Sequence, residues 1–194
     1  MRLVVPALAA ILAAAPASAQ LLDMLTAPKT LIDRAIEARS TSAIAKDNEI
    51  VVKVNGIMAD LGTVKASTEI YEQRLLITGV FDDKALYERF LRDVKAVKDV
   101  KKLYWHVAYV AKDDPKRKQM LDWADATVMA SKAQGRLIGT KGVADVNFRT
   151  TADAFGTVYL IGRARSGEEA KKAAARVQDG NGVKKVVNYV DIHP

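Results

Sequence analysis

A repeat limits this chain more than any other feature. Ile77-Thr78-Gly79 is followed 83 residues later by Leu160-Ile161-Gly162, and Val100-Lys101-Lys102 is followed 83 residues later by Val183-Lys184-Lys185. Two anchors at one offset, with no gap between them, point to duplication of one structural unit. A chain written this way should fold as two small units with the same order of elements.

The hydrophobic pattern supplies that order. From Asp47, apolar residues fall at Ile50, Val51, Val54, Ile57, Met58 and Leu61, the spacing of one helical face. Asp47 is read as the N-cap and Gly62 as the left-handed stop. Val64, Ala66, Thr68 and Ile70 alternate as on a half-buried strand. Glu72-Gln73 makes a turn, and Leu75, Ile77 and Gly79 continue on a second strand. Asp82-Asp83 opens a helix that carries Leu86, Tyr87, Phe90, Leu91, Val94 and Val97. Leu103 to Val110 closes the unit as a strand. In the second half Asp114 and Pro115 start a helix that runs to Ile138, with Leu121, Ala124, Val128 and Leu137 as apolar markers. Strands Val146 to Thr151 and Val158 to Gly162 flank a turn, Gly167 to Gln178 is a helix, and Val183 to Ile192 is the last strand.

The fold class is therefore α+β: two tandem αββαβ units, each a three-stranded mixed sheet covered by two helices, plus an extra N-terminal helix. Residues 1–19 are read as a signal peptide, 20–46 as a segment with a short helix at Thr30 to Ser40, 47–112 as the first unit and 113–194 as the second. Gly79 and Gly162 are read as places where a helix or turn comes too close for a side chain. Each unit, at about 65 residues, has a thin core.

The signal peptide rests on Met1-Arg2, the apolar run Leu3 to Ala15, and Ala17-Ser18-Ala19 before Gln20. The run falls short of the roughly 20 residues of a membrane span. The mature chain is expected to begin at Gln20 and to work in the periplasm of a Gram-negative bacterium. The sequence has no cysteine, so no disulfide staples it and no lipidated cysteine can follow the signal. The net charge of +7 becomes +6 once Arg2 is removed. That excess favours anionic partners, among which nucleic acid fits an exported chain least.

The repeat carries recognisable words. Ile77-Thr78-Gly79 at the end of one strand, and Gly182-Val183-Lys184-Lys185-Val186-Val187-Asn188 at the start of another, resemble the signature of the BON domain family. Gly79, Gly162, Gly182, Val183, Val186 and Asn188 are its motif positions here. The first copy departs from it, with Asp99 for the Gly and Trp105 for the Asn. The chain resembles double-BON periplasmic proteins of the OsmY and DolP type. That resemblance implies a non-enzymatic protein linked to envelope integrity and osmotic stress, with anionic phospholipid bound through the first helix of the second unit. Here that helix carries Lys116, Arg117, Lys118, Met120 and Trp123. Cations beside Met and Trp suit a lipid interface, where they meet headgroup phosphates and the indole sits at the boundary. The alternative is a solvated basic turn with Trp123 packed between the units. A second functional reading is a scaffold that docks an envelope protein through the Tyr104-Trp105-Tyr109 strand or the Thr30 to Ser40 helix. Alternation puts Trp105 and Tyr109 on the face opposite Tyr104.

Catalytic chemistry is not evident. His106 and His193 have no second ligand at metal spacing, so no metal and no cofactor are expected. Gly135 to Gly142 lacks the spacing of a phosphate loop and follows no strand. No two carboxylates stand out as an acid–base pair. The lipid, any protein partner and the oligomeric state are not specified by these patterns.

Overall fold

The computed structural model describes residues 37–62 and 65–194. The expected signal peptide, and Thr30 to Ile36 of the expected extra helix, lie outside the described residues. Glu37 to Ser40 is not helical and leads straight into α1, Thr41–Asp60. Ser40 caps α1 by accepting the Ala43 N–H at 3.1 Å. The helix thus starts six residues before Asp47, because a good N-cap precedes a stretch with no helix breaker. Asp47 is not a cap. It is buried inside α1 and accepts the backbone N–H groups of Glu72 at 2.9 Å and Gln73 at 2.7 Å.

Those two residues form the turn between β1, Ala66–Tyr71, and β2, Arg74–Phe81. Both have positive φ, 52° and 66°, as a two-residue hairpin loop of the type I′ kind requires. Asp83 caps α2, Lys84–Lys95, by accepting the Leu86 N–H at 3.0 Å. β3, Lys102–Tyr109, returns parallel to β2, while β1 pairs with β2 antiparallel.

The second half follows the same order. It contains a short 3₁₀ turn at Pro115–Gln119, α3 at Trp123–Leu137, a second 3₁₀ turn at Asp145–Asn147, β4 at Phe148–Ala152 and β5 at Thr157–Ala164. It ends with α4 at Gly167–Gln178 and β6 at Lys185–Ile192. β4 pairs antiparallel and β6 parallel to β5. β2, α2 and β3 map onto β5, α4 and β6 at the 83-residue offset, end for end. The described residues thus hold two three-stranded mixed sheets and four α-helices.

The expected continuous helix from Pro115 to Ile138 is broken. Met120 is extended, and Asp122 restarts the helix by accepting the Asp125 N–H at 2.7 Å. The buried face of α3 is consequently Ala126, Ala133 and Leu137, while the expected markers Ala124 and Val128 are exposed. The glycine reading needs a smaller correction. A Cβ on Gly79 would strike the Lys65 carbonyl oxygen and lie 2.8 Å from the Ala66 Cα. A Cβ on Gly162 would strike the Asn147 oxygen and lie 2.9 Å from the Phe148 Cα. The close neighbour is the incoming strand of the same hairpin, rather than a helix or a loop from elsewhere.

Each sheet uses its two faces differently. α1 and α2 cover one face of the first sheet over Ile50, Val54, Leu75, Ile77 and Phe90; α3 and α4 cover the second over Leu137, Phe148, Leu160 and Val177. The opposite faces meet each other through Tyr71, Leu76, Tyr159 and Ile161. The result is four layers, helix–sheet–sheet–helix, in one compact unit over the described residues. Polar ties fix how the sheets meet. Arg74 donates to the Gly162 carbonyl at 2.7 Å and the Tyr189 carbonyl at 2.8 Å, and the Thr78 and Thr151 hydroxyls share a hydrogen bond of 2.9 Å. Buried polar ties of this kind specify one arrangement over its neighbours, although the Arg74 Nε itself has no hydrogen-bond partner among the described residues.

Candidate functional site

The five residues singled out in the basic segment are divided by the fold. Asp114 caps the 3₁₀ turn by accepting the Lys116 N–H at 2.8 Å, with Pro115 at its first position. Lys116 and Lys118 then point away from the body; both are exposed and have no ion pair among the described residues. Arg117 turns inward. It donates to the Val110 carbonyl at 2.7 Å and lies 3.9 Å from Asp82. Lys65 holds the Asp82 carboxyl below the usual carboxylate range through a hydrogen bond of 2.7 Å.

Met120 and Trp123 are half-buried, and the Trp123 indole N–H donates to the Ser67 hydroxyl of β1 at 3.2 Å. Trp123 therefore packs between the two halves. Under it lies a cleft of about 210 Å³, walled by Met120, Trp123, Ala126, Ala152 and Ala154 from the second half and by Gly79 from the first.

The backbone ties this segment to a feature that periodicity does not reveal. The Leu121 N–H donates to the Ala154 carbonyl at 2.8 Å. The next residue, Phe155, is at the tip of the β4–β5 turn and is 40 % exposed. On its other side, the Lys184 N–H donates to the Gly156 carbonyl at 2.9 Å. Lys184 and Lys185 are exposed. An exposed aromatic ring thus sits on a turn whose backbone is tied to two segments that carry exposed lysines, Lys116 with Lys118 and Lys184 with Lys185. The matching turn of the first half is the short Glu72-Gln73 loop, which has no aromatic residue. Only the unequal turn lengths, two residues against four, mark Phe155 in the sequence.

The motif positions are structural. Gly182 has φ +82°, and Asp99, its counterpart 83 residues earlier, has φ +70°. The departure from Gly in the first half thus keeps the same left-handed backbone. Val183 and Val186 pack against the second core. Asn188 is exposed, and its side-chain oxygen accepts the Val190 N–H at 2.9 Å. Its counterpart Trp105 is instead half-buried in the first core, against Phe90 at 5.4 Å.

The aromatic strand works between the sheets. Tyr104 stacks on Tyr189 at 4.0 Å, and His106 stacks on Tyr159 at 4.1 Å and hydrogen-bonds the Tyr189 hydroxyl at 2.9 Å. Burial lowers the His106 pKa, with Asp153 opposing. Tyr109 stays 41 % exposed. A larger open hollow of about 630 Å³ adjoins the start of α4, where Arg165, Lys171 and Lys172 are countered by Glu168 and Glu169. Glu169 is committed to the backbone N–H groups of Ala144 and Arg165 at 2.7 and 2.9 Å. Among the described residues no group of three or more His, Asp or Glu is placed to hold a metal, and no helix is long and apolar enough to cross a membrane.

Comparison with known proteins adds three findings. A protein of Anaplasma centrale, described as an uncharacterized protein in the gshII 5′ region, is 27% identical over 145 residues, which is 74% of this chain and 93% of that protein. Two structures of CdsD, a structural protein of the type III secretion system of Chlamydia trachomatis, align at 13% identity with TM-scores of 0.33 and 0.32. They cover 75% of this chain and 93% and 98% of their own. The family model of the BON domain matches residues 125–194, which run from the first turn of α3 through β6. A BON domain is thus found at residues 125–194.

Proposed function

We propose that this chain is an exported, non-enzymatic, double-BON-type protein that touches anionic phospholipid surface in the periplasm and supports envelope integrity. The BON domain in general is linked to phospholipid binding and envelope stress. The first half has the same order of elements as that domain, which supports reading it as a second, diverged copy.

The observation that carries the proposal is Phe155 with its lysines. Each lysine near an anionic surface contributes about 1 kcal/mol. Burying a Phe side chain fully contributes about 1.5–3 kcal/mol. Four lysines and one ring together suffice for measurable, salt-sensitive, reversible binding without a lipid anchor. Arg117, Met120 and Trp123 contribute less directly, since they are turned onto the first half.

Co-sedimentation with vesicles tests this. Recovery should require anionic lipid, fall as salt rises, and drop in Phe155→Ala and in Lys116→Ala/Lys118→Ala. Equal recovery with neutral vesicles removes the proposal. A protein-docking role is the second reading. It is favoured by Tyr109 and Ile192, 41 % and 53 % exposed at the ends of the two sheet-edge strands β3 and β6. Cross-linking in cells that yields a stoichiometric partner, with no response to vesicles, supports it.

A further inference from the structure

The cleft under Trp123 has features the membrane surface does not use. Its volume is about 210 Å³. A methylene fills about as much space as a water molecule, roughly 30 Å³, so the cleft matches a chain of about seven carbons. Small residues hold it open: Gly79 where β2 passes closest to β1, and Ala126, Ala152 and Ala154 opposite. One wall is the Trp123 indole, fixed in place by Ser67. On its floor, Thr78 is bonded to Thr151, so its hydroxyl is already satisfied. An apolar occupant would therefore leave no broken hydrogen bond there.

Two cations, Lys65 and Arg117, line the cleft with one carboxylate, Asp122. Lys65 and Arg117 share the single carboxylate of Asp82, and Lys65 holds it at 2.7 Å. The Arg117 Nη2 atom, at 3.9 Å, is beyond hydrogen-bond reach of that carboxylate and has donors to spare. Lys116 and Lys118 stand on the same turn. The Asp122 side chain caps α3.

We infer that this cleft binds one saturated acyl chain of about seven carbons ending in a carboxylate, with Arg117 meeting the head and Trp123 covering the chain. This deepens the membrane-surface reading and rests on it for biological sense, although the cleft can be tested without a membrane. Transfer of the chain from water favours binding by about fourfold per methylene.

The experiment is a titration of the full mature protein with monomeric octanoate, read by the Trp123 indole N–H signal in NMR spectra and assigned with Trp123→Phe. Octanoate should shift that signal saturably. Butyrate, four methylenes shorter, should bind about two hundredfold more weakly. Octanol should bind more weakly than octanoate, and Arg117→Gln should erase that difference. Ala126→Leu should fill the cleft and weaken octanoate at least tenfold. If Ala126→Leu fails to fold, Ala152→Val serves in its place. A shift that does not saturate, equal shifts for butyrate and octanoate, or full octanoate affinity in a folded cleft-filling variant would overturn the inference. Loss of vesicle binding with octanoate binding intact would count against the membrane reading alone.

Discussion

Removing the Asp47 carboxylate should cost more stability than its place in a helix suggests. Its oxygens accept two backbone N–H groups, from Glu72 at 2.9 Å and Gln73 at 2.7 Å, and pair with Arg39 at 2.8 Å. The side chain is 1 % exposed, so water cannot replace it. Hydrogen bonds to a charged acceptor contribute about 1.5–3 kcal/mol each. The turn they hold places two non-glycine residues at positive φ, a conformation that costs about 1–2 kcal/mol per residue. Arg39 keeps a second partner in Glu37 at 3.0 Å, so its charge is not left alone. Asp47→Ala should therefore destabilise by about 3–5 kcal/mol. Asp47→Asn, which keeps one acceptor oxygen, should lose about half of that. Urea unfolding followed by circular dichroism measures both. A loss under about 1 kcal/mol for the Ala variant would refute the view that this carboxylate pins the hairpin.

Three further outcomes are expected. Gly79→Ala and Gly162→Ala should each destabilise by about 3 kcal/mol, because backbone blocks the new Cβ; Gly56→Ala in α1, where nothing lies within 4 Å, should stabilise by about 0.5–1 kcal/mol. Burial of its carboxyl between the sheets raises Glu69 from 4.5 to about 7, with Arg149 opposing. The folded state therefore holds the proton that the unfolded state releases between those values, and stability falls as pH rises from 4.5 to 7. Glu69→Gln should be more stable than the parent above pH 7 by about 3 kcal/mol at most, with the advantage gone below 4.5, as thermal unfolding across pH can show. Burial of His106 works in the opposite direction: its lowered pKa keeps the folded imidazole neutral while the unfolded one takes up a proton below 6.5, so stability falls as pH falls through that value.

The sequence was readable where period and caps agree. Asp83 and the apolar stripe of α2, the alternation that separates Tyr104 from Trp105, and the 83-residue offset all survive in the fold. Two features misled. Asp47 has the chemistry of a cap but binds a turn 25 residues away, and capping rules see only local neighbours. Asp122 interrupts the second helix because its side chain offers the backbone a better start than the preceding residues do. Nothing local could have shown that the two sheets meet back to back. That arrangement depends on Tyr71, Arg74 and Tyr189 finding partners across half the chain. The same long-range packing creates the cleft and sets Phe155 beside the basic turn.

The membrane-surface account is tested most directly by a fluorophore at Phe155. The chain has no cysteine, so Phe155→Cys can carry a single environment-sensitive dye, and Val52→Cys, on α1 and 61 % exposed, serves as the comparison. With anionic vesicles the dye at 155 should brighten and shift to the blue, and added salt should reverse the change; the dye at 52 should not respond. A silent dye at 155, or an equal response at 52, would contradict the account.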